Sequence, residues 1–244
     1  WGRAAGGHLW RTTGDIEDTW ESVRRIGFAQ AGLDLFAGPG GWNDPDMLVL
    51  GRVGWGEPMR PSRLTPQEQY AHMTLWCLLA APLMLGCDMT QLDEFTRNLI
   101  TNGEVLDVNQ DPLGRAASRV ARRGPAQVLA KPLEDGAVAV GLFNLDEEPM
   151  DIEVRWSELG VFGAWAVRDL WRGRDLGVAT NAWTMRVGRH SAELLRLIPA
   201  DAIASNSPPQ VPWTWEAEAR HGAMSGAARG SSGFFWNTGL RGSV

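Results

Sequence analysis

The sequence predicts an α/β region followed by an all-β region, and three observations carry that prediction. Up to Gly114, short apolar runs alternate with stretches of helical period, as in strand–loop–helix units. After Gly114 the helical period fades and short apolar runs are separated by turn clusters, which describes an antiparallel β-sandwich. Residues 200–212 (ADAIASNSPPQVP) are rich in Ala, Ser and Pro and read as a linker. The expected division is therefore 1–114, 115–199, linker 200–212, and a further module opening at residue 213.

Taken in order, residues 2–7 are small and flexible, and His8-Leu9-Trp10 is a short apolar approach to Arg11. From Asp15 the pattern turns helical, with Ile16, Trp20, Val23 and Gly27 on one face and Glu17, Glu21, Arg24 and Arg25 on the other. Glu21 and Arg25 form an i,i+4 pair in the favourable order. Residues 31–37 (AGLDLFA), bounded by Gly-Pro-Gly-Gly, read as a buried barrel strand running into a loop. Residues 51–63 carry three Gly and two Pro and read as a long loop. Thr65-Pro66-Gln67-Glu68 starts a helix: a Thr cap, Pro in the first turn and Glu at the third position. That helix is expected to reach about residue 81 and stop at Pro82. Residues 83–87 then read as a buried strand ending at Asp88. Residues 90–102 read as a helix closed by Asn102-Gly103, and residues 104–109 as a short apolar run. The sandwich strands are expected at 128–130, 137–145, 151–156, 164–171 and 193–198, with turns at Glu134-Asp135-Gly136 and Asp146-Glu147-Glu148-Pro149.

Composition narrows the classes. A net charge of −6, with no Lys/Arg stripe, argues against a nucleic-acid partner. No apolar run reaches the roughly 18 residues of a membrane span. Thirteen Trp against one Tyr fit a carbohydrate-facing protein, although several of these Trp are equally readable as core. Cys77 and Cys87, the two cysteines, both lie in an apolar run and read as buried free thiols. His190 reads as a turn residue rather than a ligand, and metal-ligand spacings are absent. The chain begins Trp1-Gly2 and ends at Val244 inside what reads as another module. It is read as an internal part of a longer protein, so a missing leader carries no information on localisation.

Chemistry concentrates in residues 40–47 (GGWNDPDM). Asp44 and Asp46 stand two apart on a Gly-opened loop that Pro45 stiffens, with Trp42 before them and Met47 after. Carboxylates accept hydrogen bonds from hydroxyls and an aromatic face covers the C–H side of a pyranose, so the loop suits a sugar pocket. The same residue types also make ordinary turns, and Met47 equally reads as core. Asp44 is expected to bond the loop backbone. Asp15 has two readings as well. With Asp18 three residues on, it makes an ordinary helix cap; a general acid, by contrast, needs burial or a neighbouring carboxylate to keep its proton.

GGWNDPDM, together with residues 10–16 (WRTTGDI), 78–89 (LLAAPLMLGCDM) and 108–114 (VNQDPLG), resembles glycoside hydrolase family 27, the retaining α-galactosidases and α-N-acetylgalactosaminidases. The resemblance implies that residues 1–114 are the C-terminal portion of a (β/α)8 TIM barrel, supplying the last three strands, followed by the family's β-sandwich. It implies Asp15 as the acid/base carboxylate, pointing into a cleft while Asp18 or a Thr caps the helix. Arg11, Asp46, Met47 and Trp42 would then bind substrate, with the nucleophile, an Asp in a Lys-x-Asp setting, lying upstream of this chain. No cofactor is implied; the partner is a small-molecule or oligosaccharide substrate, and a secreted or periplasmic setting is suggested. Residues 213–219 (WTWEAEA) look like the opening of a jelly-roll carbohydrate-binding module. Three rivals remain: the same chemistry on α-N-acetylgalactosamine, β-L-arabinopyranose or an isomaltose-type glucan; a non-catalytic sugar-binding protein; and a metal site from Asp44, Asp46 and Asp88, which lacks histidines at useful spacing.

Overall fold

The computed structural model of the chain describes residues 2–55 and 58–201. Two short strands, β1 (Leu9–Arg11) and β2 (Trp42–Asp44), pair in parallel, Leu9 opposite Trp42 and Arg11 opposite Asp44. Helix α1 (Trp20–Phe28) runs between them, buries Val23 and Ile26, and is capped by the Thr19 hydroxyl, which accepts from the Ser22 amide. Asp15 is thus outside the helix, and the Thr option for its cap holds. Glu21 pairs with Arg24 at 2.6 Å, one residue short of the expected Arg25.

The strand expected at residues 31–37 is not there. Asp34–Phe36 form a single 3-10 turn, with Leu35 and Phe36 mostly exposed. The strand falls instead inside the motif, at Trp42–Asp44. What decides it is a partner for the backbone: the Trp42 amide reaches the His8 carbonyl and the Thr12 amide reaches the Asp44 carbonyl, both at 2.9 Å. Hydrophobicity alone could not say which neighbouring segment met β1.

The expected loop at 51–63 contains a small antiparallel pair, β3 (Arg52–Val53) and β4 (Arg60–Pro61). Helix α2 (Pro66–Leu78) opens on a full capping box: the Thr65 hydroxyl accepts from the Glu68 amide and the Glu68 carboxylate from the Thr65 amide. It ends at Leu78, short of Pro82, and from Ala71 onward its side chains are buried all round, so it is a core helix. Residues 83–87 make no full strand. They touch Leu48 through one parallel bridge, Leu48–Leu85, and Met84 is exposed. Among the described residues no further ladder hydrogen bonds extend the pairing beyond that bridge. After a 3-10 turn at Met89–Gln91, helix α3 (Glu94–Ile100) is capped by Asp93. Asn102 does not close it but caps α4 (Gly103–Asn109), so the short apolar run expected at 104–109 is a helix.

The sandwich begins with β5 (Ser118–Arg123), β6 (Ala126–Pro132) and β7 (Val138–Asn144), then β8 (Met150–Arg155) and a one-turn helix α5 (Trp156–Leu159). It continues through β9 (Trp165–Asp169), β10 (Arg174–Ala179), β11 (Ala182–Val187) and β12 (Ser191–Pro199). Six strands form one antiparallel sheet in the order β10-β9-β12-β7-β6-β5, and β8 pairs with β11 across from it. Strands β5 and β10, mostly exposed and carrying charged residues, and β11, which alternates core-facing Trp183, Met185 and Val187 with polar positions, were not among the expected ones. Alternation along β7 divides the two cores: Ala139 and Phe143 face α2, whereas Val140 and Leu142 face β8 and β11. Gly141 lets α2 come this close, since a Cβ there would lie 2.4 Å from Leu78 Cδ1. The large sheet therefore serves as floor for the α/β part on one side and as half of a sandwich on the other. The linker beyond residue 201 and the module expected at 213–244 lie outside the described residues.

Candidate functional site

The two parallel strands deliver their C-terminal ends to the same place, where parallel barrels build their sites. Trp10 Nε1 donates to Asn43 Oδ1 at 2.9 Å and locks the strands together just below. Above, Arg11 Nη2 stands 2.9 Å from Asp46 Oδ2 and 3.2 Å from Asp15 Oδ1, so one guanidinium bridges both carboxylates. Asp15 is otherwise open, its side chain 97% exposed. It bonds no helix amide, and among the described residues neither burial nor a second facing acid encloses it.

Asp46 is the opposite. It is buried, and its backbone is left-handed (φ 85°), rare for a residue other than Gly and costing roughly 1–3 kcal/mol unless the surroundings enforce it. They do so with five bonds. Its Oδ1 accepts from the Met47 amide and its Oδ2 from the Ile16 amide, both at 2.8 Å, besides Arg11. Its own amide donates to Asp44 Oδ1 at 2.8 Å, and its carbonyl accepts from Trp76 Nε1 at 2.7 Å. The loop's second acid is thus spent on the backbone, as expected of Asp44. Burial pushes the Asp44 carboxyl up, against the Asp46 amide and Arg11, which pull it down.

Met47 is half-buried against the backbone of Gly86, where a Cβ would come within 2.6 Å of its Sδ. Trp42 is half-buried too, its ring beside Gly114 in the VNQDPLG motif. Asp88 uses its carboxylate on the Thr90 amide and hydroxyl and on Gln91 Nε2. Among the described residues no group of three or more His, Cys, Asp or Glu is placed to hold a metal, and no helix is long and apolar enough to cross a membrane.

Three residues have supporting roles that the sequence did not assign. Asp18 is among them, since the helix cap expected of it or of a Thr falls to Thr19. Asp18, fully buried, takes bonds from Arg60 Nη1 at 2.5 Å, the Arg63 amide at 2.8 Å and Arg63 Nη2 at 2.9 Å. Burial alone would raise its carboxyl, but the two arginines outweigh it and hold the group far below the usual carboxylate range. Its partners lie more than forty residues away, so no local pattern marks them. Trp76 had one legible signal, since a buried indole N–H needs an acceptor. His72, fully buried and pushed down to about 3 by desolvation, accepts the Val49 amide at Nε2 and packs edge-on against Trp76.

The family model described as Alpha galactosidase A matches residues 4–111, and that described as Alpha galactosidase C-terminal beta sandwich domain matches residues 123–197. The chain belongs to glycoside hydrolase family 27. Among family relatives, it is 37% identical to the α-galactosidase of Cyamopsis tetragonoloba over 79% of this chain and 45% of that one. It is 33% identical to the α-N-acetylgalactosaminidase of Gallus gallus over 68% of this chain and 41% of that one. The crystal structure of a GH27 β-L-arabinopyranosidase from Geobacillus stearothermophilus superposes with a TM-score of 0.75 at 35% identity, covering 80% of this chain and 45% of that one. The chain thus spans about half the length of the curated family 27 relatives it matches.

Proposed function

We propose that this chain is the C-terminal part of a retaining glycoside hydrolase acting on terminal α-linked galactosides by double displacement. The observation that carries the reading is the single guanidinium of Arg11 held between Asp46 and Asp15 at the mouth of two parallel strands. Asp15, the exposed carboxylate of the two, is the acid/base: it protonates the departing glycosidic oxygen, then takes a proton from the water that resolves the glycosyl-enzyme. Arg11 presents donors to sugar hydroxyls, Asp46 accepts from them, and Trp42 and Met47 wall the pocket. The nucleophile is an Asp upstream of this chain, about 5–5.5 Å from Asp15 once both are present. The upstream residues also supply the wall that encloses Asp15. Relatives named α-galactosidase support the substrate class.

The 244-residue chain alone is expected not to hydrolyse 4-nitrophenyl α-galactoside, whereas a polypeptide extended N-terminally to include the nucleophile turns it over. Turnover by the chain alone overturns this division of the site. The second reading is β-L-arabinopyranoside, which shares the ring stereochemistry and lacks the hydroxymethyl group. It is favoured by the likeness to a β-L-arabinopyranosidase whose variant was crystallised with arabinose. Relative kcat/KM on the two aryl glycosides separates them.

A further inference from the structure

The left-handed turn at Asp46 is the most constrained point of the site, and two of the groups that constrain it reach no opening. Trp76 lies fully buried in the last turn of α2, and Asp44 is buried beneath the loop. Trp76 Nε1 holds the Asp46 carbonyl at 2.7 Å, and Asp44 Oδ1 holds the Asp46 amide at 2.8 Å. Both flanking peptides are thereby turned, which is how a non-Gly residue is kept at φ 85°. That torsion in turn aims the Asp46 carboxylate at the Ile16 amide and Arg11, one residue from Asp15.

We propose that Trp76 and Asp44 are positioning residues: by clamping the two peptides of Asp46 they set where Arg11 and the segment carrying Asp15 stand. The proposal rests on the site reading above for its meaning, but its geometry is testable without sugar. Helix α2 links the clamp to the rest of the molecule. Its Glu68 accepts from or pairs with His190 Nδ1 at 2.8 Å, and its Thr74 hydroxyl accepts from Trp171 Nε1 at 2.9 Å, both from the sandwich. Trp171 therefore provides a matched control: an indole donor onto the same helix that does not touch Asp46.

The test is amide hydrogen exchange and 15N chemical shift in the 244-residue chain. Trp76→Phe keeps an aromatic side chain but removes the N–H together with part of the indole, a truncation that Trp171→Phe repeats against the same helix. The Ile16 and Met47 amides, which donate to the Asp46 carboxylate, should lose protection at least about tenfold and shift, while Trp171→Phe leaves both unmoved. Unchanged Ile16 and Met47 signals in a folded Trp76→Phe chain overturn the proposal, as does an equal effect from Trp171→Phe, which would mean general loosening of α2. Should Trp76→Phe not fold, the unaltered chain decides. There the Trp76 indole and the Ile16 amide, corrected for intrinsic rates, should exchange in one event; an Ile16 amide about tenfold faster overturns the clamp. Failure of the galactoside reading is recognised separately, when the N-terminally extended enzyme with an intact clamp leaves aryl α-galactosides untouched.

Discussion

The α/β part and the sandwich are built on the two faces of one sheet, yet among the described residues only the sandwich has long strands paired on both sides. Strands β6, β7, β9 and β12 are flanked on both sides, and β7 and β12 stay paired over seven residues. On the other face β1 and β2 are three residues long, and residues 83–87 manage a single bridge. Apolar content does not separate the regions, since 83–87 (LMLGC) is as apolar as most of β7. A strand is a relation between segments, and in the α/β part fewer of the segments find each other.

The largest effect should come where the regions share material. Phe143, fully buried on β7, faces α2 and meets Phe28 edge-on at 5.3 Å. Phe143→Ala is expected to lose about 3–5 kcal/mol in urea unfolding, with both regions melting in one transition. Two separate transitions would break the picture of a common floor.

Next is Asp18, which ties the start of α1 to β4 and the segment just after it. Asp18→Asn takes the buried anion from both arginines; because these are themselves half-exposed and Arg63 keeps Glu17 at 3.7 Å, the loss should be about 2 kcal/mol rather than the larger value for a sealed pair. The pH dependence has a definite sign. The folded carboxyl lies below its ordinary 3.8, so its contribution is complete above that value and is lost as pH falls toward the lower folded one. Wild-type stability should therefore drop more steeply than that of Asp18→Asn below about pH 4; parallel acid titrations would refute the assignment. Smallest is Arg24→Ala. It removes an exposed pair within the single helix α1 and should change stability by less than about 0.5 kcal/mol, which sharpens the contrast with Asp18 six residues away.

What the sequence made legible follows the same division. The caps and turns were readable because their chemistry is local: the Thr65–Glu68 box and the Glu134–Gly136 turn each involve neighbours in the chain. The barrel motifs named the family and placed Arg11, Asp15 and Asp46 near one another. They could not place the strand, which fell at Trp42–Asp44 rather than 31–37, because that choice depends on β1, some thirty residues back. Nor could they reveal that Asp46 is left-handed. That torsion is imposed by an indole on α2 and by Asp44, and the identity of a residue does not report the peptides that hold it. Among the acids, Asp15, Asp18 and Asp46 look alike in a string; burial and partners make one open, one structural and one clamped.

The proposed role of Asp15 is to give its proton to the leaving oxygen. Its most direct test is Asp15→Ala in the N-terminally extended enzyme, comparing an alkyl α-galactoside with the 4-nitrophenyl one in the presence and absence of azide. Turnover of the alkyl substrate should fall about 10²–10⁴-fold, and azide should restore turnover of the nitrophenyl substrate with release of α-galactosyl azide. Equal losses on both substrates, with no azide product, would contradict it.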